Sequence, residues 1–136
     1  MLKLKVLNQH EIYLSQLNPS NIVIQNDQVK LINIASLVVQ QTKKSEAERT
    51  ISGVDQLFIE PELSSNCPHK PSDKGDVWCI GAILYLLVAG DSTEDANRDK
   101  LHFDFQESVW TKVSSELKEF LQHALYVECS VRHSVD

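Results

Sequence analysis

The apolar positions of the chain fall into three kinds of run. Ile22-Val-Ile and Val29-Lys-Leu-Ile are short β-branched stretches separated by Gln25-Asn-Asp-Gln28, which predicts a hairpin with a four-residue polar loop. The stretch after Asp76 is apolar nearly all round. It predicts a helix to about Ala89, with the Asp76 carboxylate at the positive end of the dipole and Gly90 as its stop. A helix without a polar face is buried on most sides, so this one is expected to organise the core. The third run has helical spacing: Leu117, Phe120, Leu121, Ala124 and Leu125 share one face, with Lys118, Glu119 and Gln122 outward. Ser114 suits the N-cap and Glu116 the first turn. Gln40 to Ser52 is polar without periodicity and predicts an exposed loop; Gly90 to Lys100 is polar too. The pattern is mainly helical with one small hairpin.

Composition narrows the function classes. The chain has 136 residues, enough for one ordinary domain, with 42% apolar and 24% charged side chains. A net charge of −6, with no basic run beyond Lys43-Lys44, gives a nucleic-acid groove no support. The N-terminus lacks the pattern of a signal peptide, and Ile80–Ala89 is too short to span a bilayer. Three cysteines, Cys67, Cys79 and Cys129, form no disulfide framework and suggest a reducing, cytoplasmic setting. Only four glycines occur, and their spacing permits neither of the common phosphate-cradling loops. Cys67 and His69 have no second ligand pair, so a zinc site is not expected. Asp91, Thr93 and Asp95 imitate a calcium loop, but Ala96 and His102 stand where it needs glycine and glutamate.

The ordered motifs Leu17-Asn-Pro-Ser-Asn21-Ile-Val-Ile, Val29-Lys-Leu-Ile, Pro61-Glu62 and Asp76-Val-Trp-Cys-Ile-Gly81 resemble the C-terminal lobe of a protein kinase. The segment from Phe103 to Ser134 resembles the calcium-dependent and calmodulin-dependent serine/threonine branch. The resemblance implies a truncated, helical C-lobe over residues 1–136, built around a buried central helix with one hairpin. It also implies that the N-lobe and the final helices lie outside the chain.

The same resemblance marks departures. Gln16 stands at the position of the catalytic aspartate, and a carboxamide is no general base at neutral pH. Asn18 replaces the basic residue that steadies the transferred phosphoryl group, and Asn33 replaces the magnesium-binding aspartate. Asn21 remains from the metal-coordinating set, and Val23 from the floor of the nucleotide site. The structural anchors are retained: Glu62 with Arg132 as a buried ion pair, Asp76 toward the backbone near Leu14 and Ser15, and Trp78 in the core. Leu14 and Ile34 are expected to continue a hydrophobic stack. Ser15 stands where a phosphate-receiving arginine is usual.

These substitutions lead to the expectation of a catalytically inactive, pseudokinase-like lobe, not an enzyme, that binds no ATP, magnesium or other cofactor and engages protein partners. Two alternatives stay open. The chain is a piece of a calcium-dependent-type serine/threonine kinase completed by an N-lobe elsewhere, or it is a decayed gene product without function.

Overall fold

A computed structural model describes residues 2–14, 16–35, 56–64, 71–90, 103–105 and 108–135. The polar stretches at 40–52 and 91–100, Ser15, Gly53, Cys67 and His69 lie outside the described residues.

The elements run as helix α1 (Leu2–Asn8), strand β1 (Ile22–Gln25), strand β2 (Gln28–Leu31), a one-turn helix α2 (Pro61–Ser64), α3 (Asp73–Ala89) and α4 (Ser115–Ala124). Single 3-10 turns at Pro19–Asn21, Gln56–Phe58, Ser108–Lys112 and Cys129–Val131 join them. The fold class expected from the sequence is borne out: the described residues are mainly α, around a central helix, with one antiparallel hairpin among them. Among the described residues no helix is long and apolar enough to cross a membrane.

The hairpin is tighter than its polarity suggests. Gln25 pairs with Gln28, so the loop is Asn26-Asp27 alone. Both turn residues have positive φ, 52° and 55°, the conformation a two-residue hairpin turn requires and one that Asn and Asp tolerate. Polarity marks four residues as loop, but two of them carry the last rung of the ladder.

Helix α3 begins a turn earlier than its apolar run. Ser72, in extended conformation, accepts the Gly75 N–H at 3.3 Å, so Asp76 lies inside the helix. At the other end Gly90, with φ of 75°, donates its N–H to Leu86 O at 2.9 Å. Val77, Trp78, Cys79 and Ala82 are fully buried along it. Helix α4 starts as its pattern predicts, with Ser114 Oγ accepting the Leu117 N–H at 3.2 Å. The two helices touch at Gly81, where an added Cβ would lie 2.9 Å from that of Ala124.

A second part of the core is aromatic. Phe103 packs edge-on to Trp78 and Tyr85, with centroids 5.6 and 4.9 Å apart, and Tyr85 lies 5.1 Å from Trp110. The Tyr85 hydroxyl donates to Asp104 O at 2.8 Å, so the buried ring keeps a partner for its polar end.

Candidate functional site

The loop between α1 and β1 is fixed from three sides. Leu14 is fully buried, and its N–H donates to Asp76 Oδ1 at 2.8 Å. The other oxygen of Asp76 takes the Asn8 carboxamide at 3.2 Å, with the amide oriented so that its nitrogen faces acceptors. In that orientation Asn8 also donates to Ile12 O at 3.0 Å. One buried carboxylate therefore ties the end of α1, the loop and α3 together. Such a group is stable inside only when its lone pairs are met, and here they are. Sequence reasoning places Asp76 against the loop but misses Asn8, whose signal is no more than an amide at the end of a short helix.

Further along, Leu17 is 1% exposed and anchors the loop in the core, while Gln16 and Asn18 on either side are half-buried. Asn18 caps the Pro19–Asn21 turn: its Oδ1 accepts the Ser20 N–H at 3.0 Å and its Nδ2 donates to Gln16 O at 3.1 Å. Asn21 is buried, with its oxygen 3.4 Å from the Asn18 N–H and its nitrogen 3.4 Å from Ile32 O. Ile32 in turn donates its N–H to Asn21 O at 2.9 Å. The loop is thus stitched to the end of β2, where Asn33 comes next in left-handed conformation, φ 55°. Val23 sits on the hairpin, 36% exposed and paired with Lys30. Leu14 joins the core, and Ile34 packs against it.

The second anchor lies at the N-terminal end of α3. Arg132 forms a bidentate pair with Glu62, Nη1 to Oε1 at 2.7 Å and Nη2 to Oε2 at 2.8 Å. It also donates to the carbonyls of Tyr126 (3.0 Å) and Lys74 (3.1 Å), and its guanidinium lies 5.0 Å from the Trp78 ring centroid. Burial pushes the Glu62 carboxyl up, but the hydrogen bonds and charge of Arg132 outweigh it, so its pKa falls below the ordinary value. The Trp78 indole donates to Leu57 O at 3.2 Å, closing the gap between α3 and the segment before α2. Two more residues of this corner carry no sequence signal. Glu60 is fully buried, against Gly75 of α3. Lys74 donates to the carbonyls of Cys129 (3.0 Å) and Ser130 (2.8 Å).

An apolar groove of about 860 Å³ runs along the open side of α3. Leu4, Ile24, Val29, Ile83, Leu87 and Phe120 are among its walls.

The sequence matches the family model of the protein kinase domain over residues 1–136. The chain belongs to the protein kinase family. Among curated relatives it is similar to mouse myosin light chain kinase 2, skeletal/cardiac muscle, 27% identical over 88% of this chain and 21% of that protein. It is similar to calcium/calmodulin-dependent protein kinase type 1 of Caenorhabditis briggsae, 26% identical over 85% of the chain and 34% of that protein. A probable serine/threonine-protein kinase of Dictyostelium discoideum, fhkE, is 26% identical over 87% of the chain and 18% of that protein. The chain therefore spans about a fifth to a third of the length of these relatives. The resemblance to a kinase lobe of the calmodulin-dependent branch is borne out.

The expectation that the chain is not an enzyme is corrected by the same comparisons. The domain is that of a phosphoryl-transferring family, and the relatives are named as kinases. That expectation rests on the replacements at Gln16, Asn18 and Asn33 together with an N-lobe outside the chain, whereas the family and the relatives' names point to an enzyme.

Magnesium, which the family implies, finds a poor donor set. Asn33 would present a neutral carboxamide where the family has a carboxylate, and Asn21, of the residue type the family uses there, has both polar ends of its side chain facing the backbone. Among the described residues no group of three His, Cys, Asp or Glu converges. These residues do not fit a protein-held magnesium ion, and no step of the reaction is assigned to one.

Proposed function

We propose that the chain is the protein-substrate lobe of a serine/threonine protein kinase domain, with the nucleotide-covering lobe supplied by residues outside these 136. One observation carries the reading. The loop that holds Gln16 is fixed by the buried Asp76 on one side and by Asn21 on the other, as a preorganised transfer site requires. The match along the whole chain, and relatives named as kinases, support it.

In this reading the Gln16 carboxamide oxygen accepts a hydrogen bond from a serine or threonine hydroxyl and orients it. The hydroxyl oxygen forms a bond to the γ-phosphorus of ATP as the bond to the bridging oxygen breaks, and ADP leaves. The hydroxyl proton passes to a phosphate oxygen or to solvent, since Gln16 cannot hold it. General-base help is worth about 10²–10⁴-fold, and the reaction proceeds more slowly by that factor. Protein substrates are the proposed partners and ATP the proposed co-substrate. The cytosol is the proposed compartment, in keeping with the free thiols of Cys79 and Cys129.

The test is transfer of labelled γ-phosphate from ATP to serine and threonine peptides by the full-length protein, beside its Gln16→Asp variant. Slow transfer by the wild type, raised about 10²-fold or more in the variant, supports the reading. Absence of transfer above a heat-inactivated blank in both proteins overturns it.

A further inference from the structure

We infer that Asn18 is a positioning residue for the transfer reaction, acting by holding the peptide carbonyl of Gln16. The inference rests on the kinase reading and names a device within that site. Asn18 stands where the family resemblance places a cation aimed at the transferred phosphoryl group. In this chain both polar ends of the side chain are turned onto the loop itself. Oδ1 accepts from Ser20 N–H at 3.0 Å, and Nδ2 donates to Gln16 O at 3.1 Å.

These two bonds do different things. The bond from Ser20 is ordinary N-capping. Asn18 has extended backbone, φ −141° and ψ 173°, and Pro19 occupies the next position, which needs no N–H. A cap needs only an acceptor, which serine supplies as well as asparagine. The bond to Gln16 is not required for capping. It requires a donor reaching back two residues, and among cap-forming side chains Asn combines that donor with the acceptor. Gln16 also lies between two buried leucines, and Leu14 is itself held by Asp76. With its N–H donating to Leu14 O and its carbonyl accepting from Asn18, the backbone of Gln16 is held at both of its polar groups. A hydroxyl-orienting group needs that arrangement, because misplacement by about 1 Å can cost 10²-fold in rate.

Asn18→Ser separates the two bonds: it keeps the cap acceptor and removes the donor, without adding charge. Asn18→Ala removes both. In the full-length protein, Asn18→Ser is expected to keep the wild-type Tm within about 2 °C, since the cap survives. It should lower kcat about tenfold at unchanged KM for the peptide, and Asn18→Ala should lower Tm as well. In a Gln16→Ala background Asn18→Ser should have no further effect on kcat, because a residue acting through Gln16 has nothing left to position. A readout independent of activity is the ¹⁵N order parameter of the Leu17 amide, which belongs to the peptide unit that Asn18 holds. It should drop in Asn18→Ser while that of Ser20 is kept. Wild-type kcat in Asn18→Ser, an undiminished effect in the Gln16→Ala background, or an unchanged Leu17 order parameter would each overturn the inference. If the wild type transfers no phosphate but the Leu17 order parameter still drops, the kinase reading and the positioning role both fail, and Asn18 is left with a structural tie alone.

Discussion

Arg132 is the side chain on which most of the corner around α2 depends, because it meets Glu62, three backbone carbonyls and the Trp78 face at once. Removing one member of a buried pair leaves the other charge without compensation, so Glu62→Gln is expected to cost about 3–5 kcal/mol in urea unfolding at pH 7. The pair also sets a pH dependence. Glu62 has its folded pKa below the ordinary 4.5, so its stabilisation is complete above that value and is lost as the pH falls through the lowered folded value. Unfolding midpoints of the wild type measured between pH 7 and pH 3 should fall at the acid end, and those of Glu62→Gln should fall less. Nearby, burial and then the Glu62 carboxylate raise the Cys129 thiol to about 11. Alkylation at pH 8, tracked residue by residue, should therefore be slow at Cys129 in the native protein and fast after unfolding. Asn33 holds a left-handed φ that Asp tolerates and a β-branched residue does not, so Asn33→Val should destabilise by about 1–2 kcal/mol while Asn33→Asp stays near neutral. At this scale the anchors are legible because their motif order is written in the chain. Asn8, Glu60 and Lys74 are not, since each acts through a contact made only when distant segments meet.

The elements are more legible than their edges. Helix α4 begins at Ser114 as its period and cap predict, because cap and amphipathic face lie in one local stretch. Helix α3 extends beyond its apolar run because its first turn, Asp73-Lys-Gly, is polar. The cap at Ser72 decides the boundary, and hydropathy does not register it. The hairpin loop looks long in the sequence for the related reason that Gln25 and Gln28 are polar yet paired. What periodicity does not show is how closely α3 and α4 approach. An added methyl at Gly81 would press on Ala124 at 2.9 Å and on Leu125 at 3.1 Å. Gly81→Ala is expected to destabilise by about 1–3 kcal/mol despite the better helix propensity of alanine, and thermal unfolding would show it as a lowered Tm.

Across the whole molecule, apolar side chains stand out along one side. Ile24 and Leu87 are 76% and 75% exposed at the groove that also takes in Val29 and Phe120. The 136-residue chain should bind an apolar dye such as ANS in its folded state, and replacing Ile24 and Leu87 together by lysine should abolish most of that signal. Hydropathy identifies the buried helix and the hairpin separately, but not that their apolar faces form one open wall. The Glu62–Arg132 pair has a further consequence for the order of events in folding. Its partners lie 70 positions apart, so it forms only after most of the chain between them has been drawn together. A polar contact of that separation is expected to contribute little to the folding transition state and much to the native state beyond it. Glu62→Gln should therefore leave the refolding rate nearly unchanged and speed unfolding, so that the pair acts as a latch on the lifetime of the native state.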